Sequence, residues 1–295
     1  MEKTILNKLP VPTFRWLGVN GAERELIKNE PRAVNISAAE KAVRNDVTES
    51  SEYMIEAAKD ESLDVVQYIT MHNDATLRTQ VTVHSGAEVR LVQVFENKES
   101  IVSETSAKIE ENAGFELVQL YLGGSDTVSE INSELVGHNA NFTADVGYRL
   151  KGEDKLDINL IAEHFGRKST SQITVNGVLD DTAEKVFKGT IDFKNGAKAA
   201  KGSEKESVLL LNEKVRNRTV PLILCAEEDV EGSHGASIGK LDEKHIFYMK
   251  SRGISEEKIY ELAAKARLMQ VISKIGDEQT KARVIGDLQW GDEDE

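Results

Sequence analysis

Short runs of alternating apolar and polar residues fill the middle of this chain, from residue 63 to residue 226, and they constrain its fold more than any other feature. Clear examples are Leu77–Val83, Val89–Phe95, Phe115–Tyr121 and Leu156–Leu160. Strict alternation is the pattern of a half-buried β-strand, and glycine or asparagine separates the runs. Because no helix-length pattern interrupts them, we expect a mainly β fold.

The runs also recur with a nearly fixed period. Gly86–Val89, Asn112–Phe115 and Asn139–Phe142 each begin with a turn residue followed by alanine, and the successive alanines are 26 and 27 residues apart. Such a period is typical of a solenoid, in which each coil buries its apolar face only by stacking on its neighbours. A β-helix is therefore the first expectation, and a large β-sandwich or barrel with coincidental turn spacing is the alternative.

Two further regions flank this β-structure. Residues 1–60 contain three of the four prolines, and the Ala- and Glu-rich stretch from residue 37 to residue 59 predicts short helices. We interpret residues 1–60 as an N-terminal arm or small helical region and residues 61–240 as the β-helix core. Residues 241–295 are predicted to form a C-terminal helical region and an acidic tail, Gly291–Glu295, which we expect to be disordered.

Capping residues divide the C-terminal region into three predicted helices. Asp242 can cap a first helix that stops at Gly253, and Ser255 can cap a longer second helix that stops at Gly276. A third, short helix is predicted over Glu278–Leu288. The apolar stripe of the second helix is expected to be Ile259, Leu262, Ala263, Ala266, Met269 and Ile272.

The charge and the cysteine content argue against several functional classes. The chain has 37 basic and 51 acidic residues and a net charge of −14, which disfavours nucleic acids and anionic membranes as partners. A single cysteine precludes an intramolecular disulfide and fits a reducing compartment. No apolar run approaches the length of a membrane span, and the first residues lack the apolar segment of a signal peptide. We therefore expect a cytoplasmic protein.

The residues best suited to metal chemistry lie between Cys225 and Gly253. The only cysteine, Cys225, precedes His234 by less than one coil length, and the acidic run between them includes Glu228. Thiolate and imidazole side chains bind iron and copper, and a carboxylate can supply an oxygen ligand. We take His234, Cys225 and Glu228 as candidate metal ligands.

Each candidate also has a purely structural interpretation. His234 could cap the end of the β-helix, Cys225 could be a small buried residue at the end of an apolar strand, and the acidic run could be a solvated turn. The Ser233–His234 pair does not form a hydrolase motif, because Glu231 occupies the first glycine position of G-x-S-x-G. The chain also lacks a G-x-x-x-x-G-K-[ST] loop, so we do not expect it to hydrolyse ATP.

A set of motifs in the second half of the chain resembles one protein family. The motifs are Val186–Ala197, Leu209–Asn212, Pro221, Glu228–Val230, Ser233–Ser237, Gly239–Glu243 and Phe247–Gly253. In order, spacing and residue type they resemble the SufB/SufD family of iron–sulfur cluster assembly scaffolds over roughly residues 165–275. Pro12–Asn20 and Gly177–Asp181 are similar to that family with weaker specificity.

The resemblance implies a right-handed parallel β-helix and a set of partners. An ABC-type ATPase, SufC, docks on the C-terminal helices in this family, and Asp242, Phe247, Tyr248 and Arg252 are the expected contact residues here. Two SufB/SufD-type subunits pair through the β-helix, and a transient iron–sulfur cluster is built near that interface with sulfide from a sulfur donor. We therefore expect a scaffold rather than an enzyme, without a tightly bound cofactor in the isolated chain.

The composition of the candidate site bears on the type of subunit. Four thiolates usually hold an iron–sulfur cluster, so ligands beyond Cys225 must come from a second subunit, from carboxylates or from an exogenous thiol, which favours a dimer. SufD-like members often have a cysteine at the position of Gly232, and SufB-like members have a glutamate at that of Gly235. The cysteine that receives sulfur in SufB-like members has no clear counterpart in this chain.

These departures leave the choice of partner subunit open. Gly235 favours a SufD-like role beside a SufB-like subunit, whereas the short length resembles compact systems in which one such protein pairs with itself. The participation of a flavin is open as well. Two other functions are compatible with a β-helix: a purely structural interaction protein, and an enzyme that acts on acidic polysaccharide. The negative charge and the absence of a secretion signal count against the latter.

Overall fold

The chain is a β-solenoid made of two parallel sheets that face one another. The computed structural model describes residues 3–13, 15–25, 31–37, 41–123 and 126–288. The odd sheet consists of β3 (Arg32–Ser37), β5 (Ser51–Ala57), β7 (Ala75–Val83), β9 (Ile101–Ile109), β11 (Asp126–Leu135), β13 (Lys155–His164), β15 (Glu184–Phe193) and β17 (Arg216–Cys225). The even sheet consists of β4 (Ala42–Val47), β6 (Ser62–Ile69), β8 (Glu88–Phe95), β10 (Gly114–Leu122), β12 (Asn141–Leu150), β14 (Thr170–Leu179), β16 (Ala200–Leu210) and β18 (Val230–Gly239).

Within each of the two sheets, adjacent strands are parallel and lie two positions apart in chain order. Leu91 of β8 pairs with Leu117 of β10, which pairs with Ala144 of β12. The 26- and 27-residue repeat is therefore the length of one coil, since the chain returns to the same sheet after each turn of the solenoid. The β-helix predicted from the repeat is confirmed, and the alternative of a sandwich or barrel is wrong.

The solenoid begins at Arg32 rather than at residue 61. Strand β3 pairs with β5, and β4 pairs with β6, so the short helices predicted between residues 37 and 59 are wrong wherever that stretch is described. The inward residues Val47, Tyr53 and Ile55 are buried in the first coils. Packing against the next coil outweighs the helical preference of the neighbouring Ala and Glu residues.

Similar side chains stack on one another inside the lumen, which is the space between the two sheets. The rings of Phe95 and Tyr121 stack with centroids 4.6 Å apart, and those of Phe115 and Phe142 stack at 5.7 Å. Alternate residues of every strand point into this space, which explains the alternating sequence pattern. The lumen is thus a continuous apolar core along most of the solenoid.

One column of the lumen is polar. Gln67, Gln93 and Gln119 are fully buried and occupy paired positions of β6, β8 and β10. Nε2 of Gln93 donates to Oε1 of Gln67, and Nε2 of Gln119 donates to Oε1 of Gln93, both at 2.7 Å. Tyr121 donates its hydroxyl to Oε1 of Gln119 at 2.8 Å. This glutamine ladder supplies hydrogen bonds to amides that would be costly to bury alone.

An N-terminal arm lies on the outer face of the odd sheet. It contains a small antiparallel sheet of β1 (Lys3–Leu6) and β2 (Ala22–Glu25), with a 3₁₀ turn at Arg15–Leu17 between them. The side-chain amide of Asn7 donates to the carbonyl oxygens of Ser129 and Asp157 at 3.1 and 2.8 Å. The buried Lys188 donates to the carbonyl oxygen of Asn7 at 2.9 Å, so buried polar contacts hold the arm in place.

Three helices follow the solenoid, as predicted. They are α1 (Glu243–Ser251), α2 (Glu256–Ile272) and α3 (Glu278–Asp287), and the side chains of Asp242, Ser255 and Asp277 accept hydrogen bonds at their N-termini. Helices α2 and α3 pack on the outer face of the even sheet and bury a second apolar cluster there. No helix in the described part of the chain is long and apolar enough to cross a membrane.

The apolar stripe predicted for α2 is only partly correct. Ile259 and Ile272 are buried as predicted, but the other buried residues are Ala264, Leu268 and Val271, and Leu262 is 40% exposed. The helix carries two overlapping apolar stripes, and the even sheet contacts the one that contains Leu268. The predicted acidic tail lies outside the described residues.

Candidate functional site

The solenoid ends in an uncovered coil formed by β17 and β18, which we call the open end. Among the described residues, these strands pair along one edge only, with β15 and β16. Inward residues become accessible here: Ile223 is half-buried, whereas Ile191, its partner one coil below, is fully buried. An unpaired strand edge of this kind is a place where another chain can add.

The predicted histidine and cysteine both lie in this coil. His234 of β18 pairs with Glu204, and Cys225 at the end of β17 pairs with Phe193. Both side chains are exposed. They share the lumen-facing side of their strands, because side chains alternate along a strand and Gly232 packs against Phe193 in the lumen. The fold thus brings Cys225 and His234 to the same end of the solenoid, each on the lumen-facing side of its own sheet.

The acidic run forms an exposed turn between β17 and β18, which agrees with its structural interpretation. The carboxylate of Glu227 accepts a hydrogen bond from the backbone N–H of Gly196 at 3.1 Å, and this bond lowers the pKa of Glu227. Glu228 is exposed in the same turn. In the described part of the chain, no three His, Cys, Asp or Glu side chains converge in a way that could hold a metal ion. The ligand roles of His234, Cys225 and Glu228 therefore stay predictions.

A group of charged side chains that no sequence motif indicated lies buried directly beneath the open end. Lys185 and Glu206 are fully buried and form an ion pair. Nζ of Lys185 also lies 3.1 Å from Oγ1 of Thr219, and that hydroxyl donates to Oε2 of Glu206 at 2.7 Å. The signal for this group was a lysine and a glutamate at inward positions of two strands, which only the register reveals.

A second carboxylate, that of Glu204, lies next to this pair. Glu204 precedes Glu206 by one inward position of β16 and is only 5% exposed. Its carboxylate occupies the space over Gly189 in the facing strand, where any β-carbon would collide with it. Burial raises the pKa of Glu204 to about 7, and the neighbouring Glu206 adds to this effect. This side chain is the most strongly perturbed carboxylate next to the open end.

The other histidines fit the structural or surface roles expected for them. His164 is fully buried, and its two ring nitrogens each lie 2.8 Å from the hydroxyl oxygen of Ser169 or Ser171. Desolvation lowers the pKa of His164 to about 4. His84 lies at the surface between Glu56 and Glu110. Neither histidine belongs to the open end.

The first C-terminal helix presents aromatic side chains to solvent. Phe247 is 76% exposed, Tyr248 is 57% exposed, and no residue of α1 is buried. The guanidinium of Arg252 lies 5.3 Å from the centroid of the Tyr248 ring. A groove of about 670 Å³ separates α1 from the start of α2, and Phe247 lines it. Three of the four predicted partner-binding residues are therefore exposed on or next to α1, while Asp242 caps the helix.

Comparisons with known proteins agree with the motifs. The family model described as "SUF system FeS cluster assembly, SufBD core domain" matches residues 39–266. The iron–sulfur cluster assembly protein SufD of Bacillus subtilis is 31% identical over 167 residues, which cover 56% of this chain and 38% of that protein.

Two further relatives show the same pattern. An iron–sulfur cluster assembly SufBD family protein of Pyrococcus horikoshii is 29% identical over 215 residues, covering 67% of this chain and 44% of the relative. One of Staphylococcus saprophyticus is 27% identical over 186 residues, covering 62% and 40%. The matched part of the chain thus spans about two-fifths of the length of these curated relatives.

Proposed function

Because the chain belongs to the SufBD core family of the SUF iron–sulfur cluster assembly system, we propose that it is a scaffold subunit of a SUF-type assembly complex. It pairs with a second SufB/SufD-type subunit, either a SufB-like protein or another copy of itself, and it docks a SufC-type ABC ATPase. Iron and sulfide from a sulfur donor form a transient cluster as its cargo. The open end carries this proposal, because Cys225 and His234 both lie on the lumen-facing side of a coil whose outer edge has no partner strand in the described chain.

The exposed edge strands support subunit pairing. The apolar residues of β17 from Val220 to Leu224 are only half-buried, and β17 and β18 each leave one row of backbone groups without a partner strand in the described chain. A second subunit that covers this coil would bury these apolar residues and pair these backbone groups. The same contact would bring a second set of ligands to Cys225 and His234.

The need for shared ligands supports the same arrangement. Cys225 is the only thiol of the chain, and one thiolate with one imidazole leaves a cluster incompletely coordinated. The remaining ligands come from the second subunit or from carboxylates such as Glu228. The chain acts here by holding the cargo, not by catalysing a reaction.

The exposed face of α1 supports the docking of the ATPase. Phe247, Tyr248 and Arg252 lie on the exposed surface at α1, with the Arg252 guanidinium over the Tyr248 ring, and aromatic and arginine side chains are enriched at protein interfaces. Because α1 buries none of its own residues, this surface is accessible to a partner.

Anaerobic reconstitution tests the scaffold role. The chain, alone and with its cognate ATPase, is incubated with Fe²⁺ and sulfide and analysed by visible absorption and by mass after size exclusion. We expect a labile brown species on an assembly with two scaffold subunits, lost in Cys225→Ser and in His234→Ala. The matched control is His138→Ala, since His138 is exposed in a turn of a middle coil.

The outcomes of this experiment separate the possible functions. A brown species that survives both substitutions would contradict the ligand assignment. A paired assembly without iron would indicate a purely structural interaction protein. A cluster that forms only after a SufB-like protein is added would identify the second subunit as a paralogue rather than a copy.

A pull-down with the ATPase tests the docking surface. We expect Phe247→Asp to abolish co-purification of the ATPase without a change in the circular dichroism spectrum, because Phe247 is not part of the core. Ile285→Asp on α3 serves as the control, since Ile285 is also exposed but lies on a different helix. Retention of the ATPase by Phe247→Asp would refute docking on α1.

A further inference from the structure

The lumen beneath the open end holds more negative than positive charge. Two carboxylates, Glu204 and Glu206, and one ammonium group, Lys185, are buried there. Fully ionised, these three side chains carry one surplus negative charge. A buried carboxylate is strongly unfavourable unless a counter-charge or hydrogen-bond donors accompany it. We therefore expect a further counter-charge or hydrogen-bond donor next to these groups.

Lys185 forms its ion pair with only one of the two carboxylates. Its ammonium group forms an ion pair with Glu206 and lies 3.1 Å from the hydroxyl oxygen of Thr219, which itself donates to Glu206. The aromatic rings of Tyr148 and Phe187 surround it on other sides, with centroids 5.8 and 5.5 Å away. The direct contacts of Lys185 are thus with Glu206 and Thr219, and it acts on Glu204 only at longer range.

Glu204 is left without such a partner. In the described part of the chain, its carboxylate takes part in no hydrogen bond or ion pair, although the residue is only 5% exposed. The space for this carboxylate is built into the fold, because the facing residue is Gly189 and a larger residue would collide with Glu204. Lys185 acts on this carboxylate electrostatically, but its ion pair is with Glu206, so the three buried groups still carry one surplus negative charge when all are ionised.

His234 lies directly above Glu204, toward the open end. The two residues are paired in register on adjacent strands and point to the same face, which places their β-carbons about 5 Å apart. The imidazole is exposed while the carboxylate beneath it is buried. An ion that enters from the open end would therefore meet the imidazole first and the carboxylate next.

We propose that Glu204 and His234 form a binding site for a single divalent transition-metal ion at the mouth of the lumen. The ion supplies the positive charge that Glu204 lacks, and a carboxylate with an imidazole suits Fe²⁺ and similar ions better than Mg²⁺ or Ca²⁺, which prefer oxygen ligands alone. Water completes the coordination, since no third protein ligand converges among the described residues. The inference deepens the proposed function and rests on it for the identity of the ion as Fe²⁺.

Metal titration of the full chain tests this site. The protein is stripped of metal with a chelator and titrated with Co²⁺, an oxygen-stable substitute for Fe²⁺, at neutral pH, with binding followed by calorimetry and by the visible spectrum of Co²⁺. We expect one ion per chain. Glu204→Gln and His234→Ala should each weaken binding by at least about tenfold.

A neighbouring carboxylate provides the matched control. Glu231 lies on β18, but it is exposed and forms a surface ion pair with Lys201, so Glu231→Gln should change the affinity by less than about twofold. Circular dichroism and urea unfolding verify that each variant is folded. Wild-type affinity in Glu204→Gln, or no Co²⁺ binding by the wild-type chain, would overturn the proposal and leave a proton or the His234 imidazolium as the partner of Glu204.

The outcomes distinguish a failure of the metal site from a failure of the proposed scaffold function. If Co²⁺ binds through Glu204 but the chain binds neither an ATPase nor a second scaffold subunit, the metal site stands and the assembly role fails. If the complex forms and the cluster assembles while Glu204→Gln binds Co²⁺ like the wild type, the scaffold role stands and the metal site is refuted.

Discussion

The lumen contains one continuous column of paired positions that differs in character between its two ends. In the early coils this column is the glutamine ladder, and at the open end the same column holds Glu206 and then Ala236. Valines 146 and 175 separate the two parts. The neutral amides of the ladder hydrogen-bond to one another, because each amide both donates and accepts. Carboxylates cannot do so, since ionised carboxylates only accept.

The neighbouring column shows the same change. Apolar side chains such as Leu117 and Ile173 occupy it through the middle coils, and Glu204 and His234 follow at the open end. Stacking of identical residues is thus a means of stability in the early coils, whereas the last coils replace it with groups that require a partner. In both columns the titratable side chains lie at the open end.

Breaking the glutamine ladder should give the largest effect. Gln93→Ala removes the partner of Gln67 and of Gln119, and the hydroxyl of Thr105 loses a weaker contact to Gln93. Because buried amides are left without partners, we expect the free energy of unfolding to fall by about 4 kcal/mol. Urea unfolding measures this loss, and the exposed Gln80→Ala should stay within about 0.5 kcal/mol of the wild type. A loss as small as that of the control would show that the ladder is not stabilising.

Glu204→Gln at the open end should instead raise the free energy of unfolding. The pKa of Glu204 in the folded protein is about 7, above its ordinary value of 4.5, so the wild type loses stability as the pH rises through this window. Removing the charge should raise the free energy of unfolding at pH values above 7 by about 3 kcal/mol and leave it unchanged in acid. Urea unfolding as a function of pH, with a chelator present, measures the difference. Equal pH profiles for the variant and the wild type would contradict the unpaired carboxylate.

His164 provides a contrast to Glu204. Both ring nitrogens of His164 have a hydrogen-bond partner, whereas the carboxylate of Glu204 has none among the described residues. The pKa of His164 is about 4 in the folded protein, below its ordinary value of 6.5, so its contribution to stability is complete above pH 6.5 and is lost as the pH falls. We expect the wild type to lose about 2 kcal/mol through this residue by about pH 5. His164→Gln should be less stable at neutral pH, because it disturbs Ser169 and Ser171, but it should lack this acid-dependent loss. An unchanged slope in the variant would rule out His164 as its origin.

The sequence could predict the repeating coil but not which side chains meet inside the lumen. Alanines repeated at coil length, alternating strands and the capping residues Asp242 and Ser255 are local signals, and local signals were sufficient for the β-helix and for the three helices. The start at Arg32 was missed because short strands become stable only when the next coil packs on them. The stripe of α2 was partly wrong, because the sheet beneath the helix selects which of two overlapping apolar faces is buried.

The candidate site shows the same limit. His234 and Cys225 could be found from residue type and motif, but the importance of Glu204 depends on three other positions: His234 above it, Gly189 opposite it and Lys185 beside it. Each of these three residues lies between 15 and 30 positions from Glu204 in the sequence. Only the register of the sheets brings them together, so no local pattern could have indicated an unpaired carboxylate.

The smallest effect is expected at His84, which connects neighbouring coils at the surface as the glutamines do in the lumen. His84 contacts Glu56 at 2.8 Å and Glu110 at 3.3 Å, one coil below and one coil above, and the hydrogen bond to Glu56 raises the pKa of His84. Its contribution to stability is therefore present below pH 6.5 and lost as the pH rises. Because water screens these exposed charges, His84→Gln should cost only about 0.5 kcal/mol in acid and less in base, measured by urea unfolding. A cost equal to that of Gln93→Ala would mean that the buried glutamine contacts stabilise the protein no more than the exposed contacts of His84.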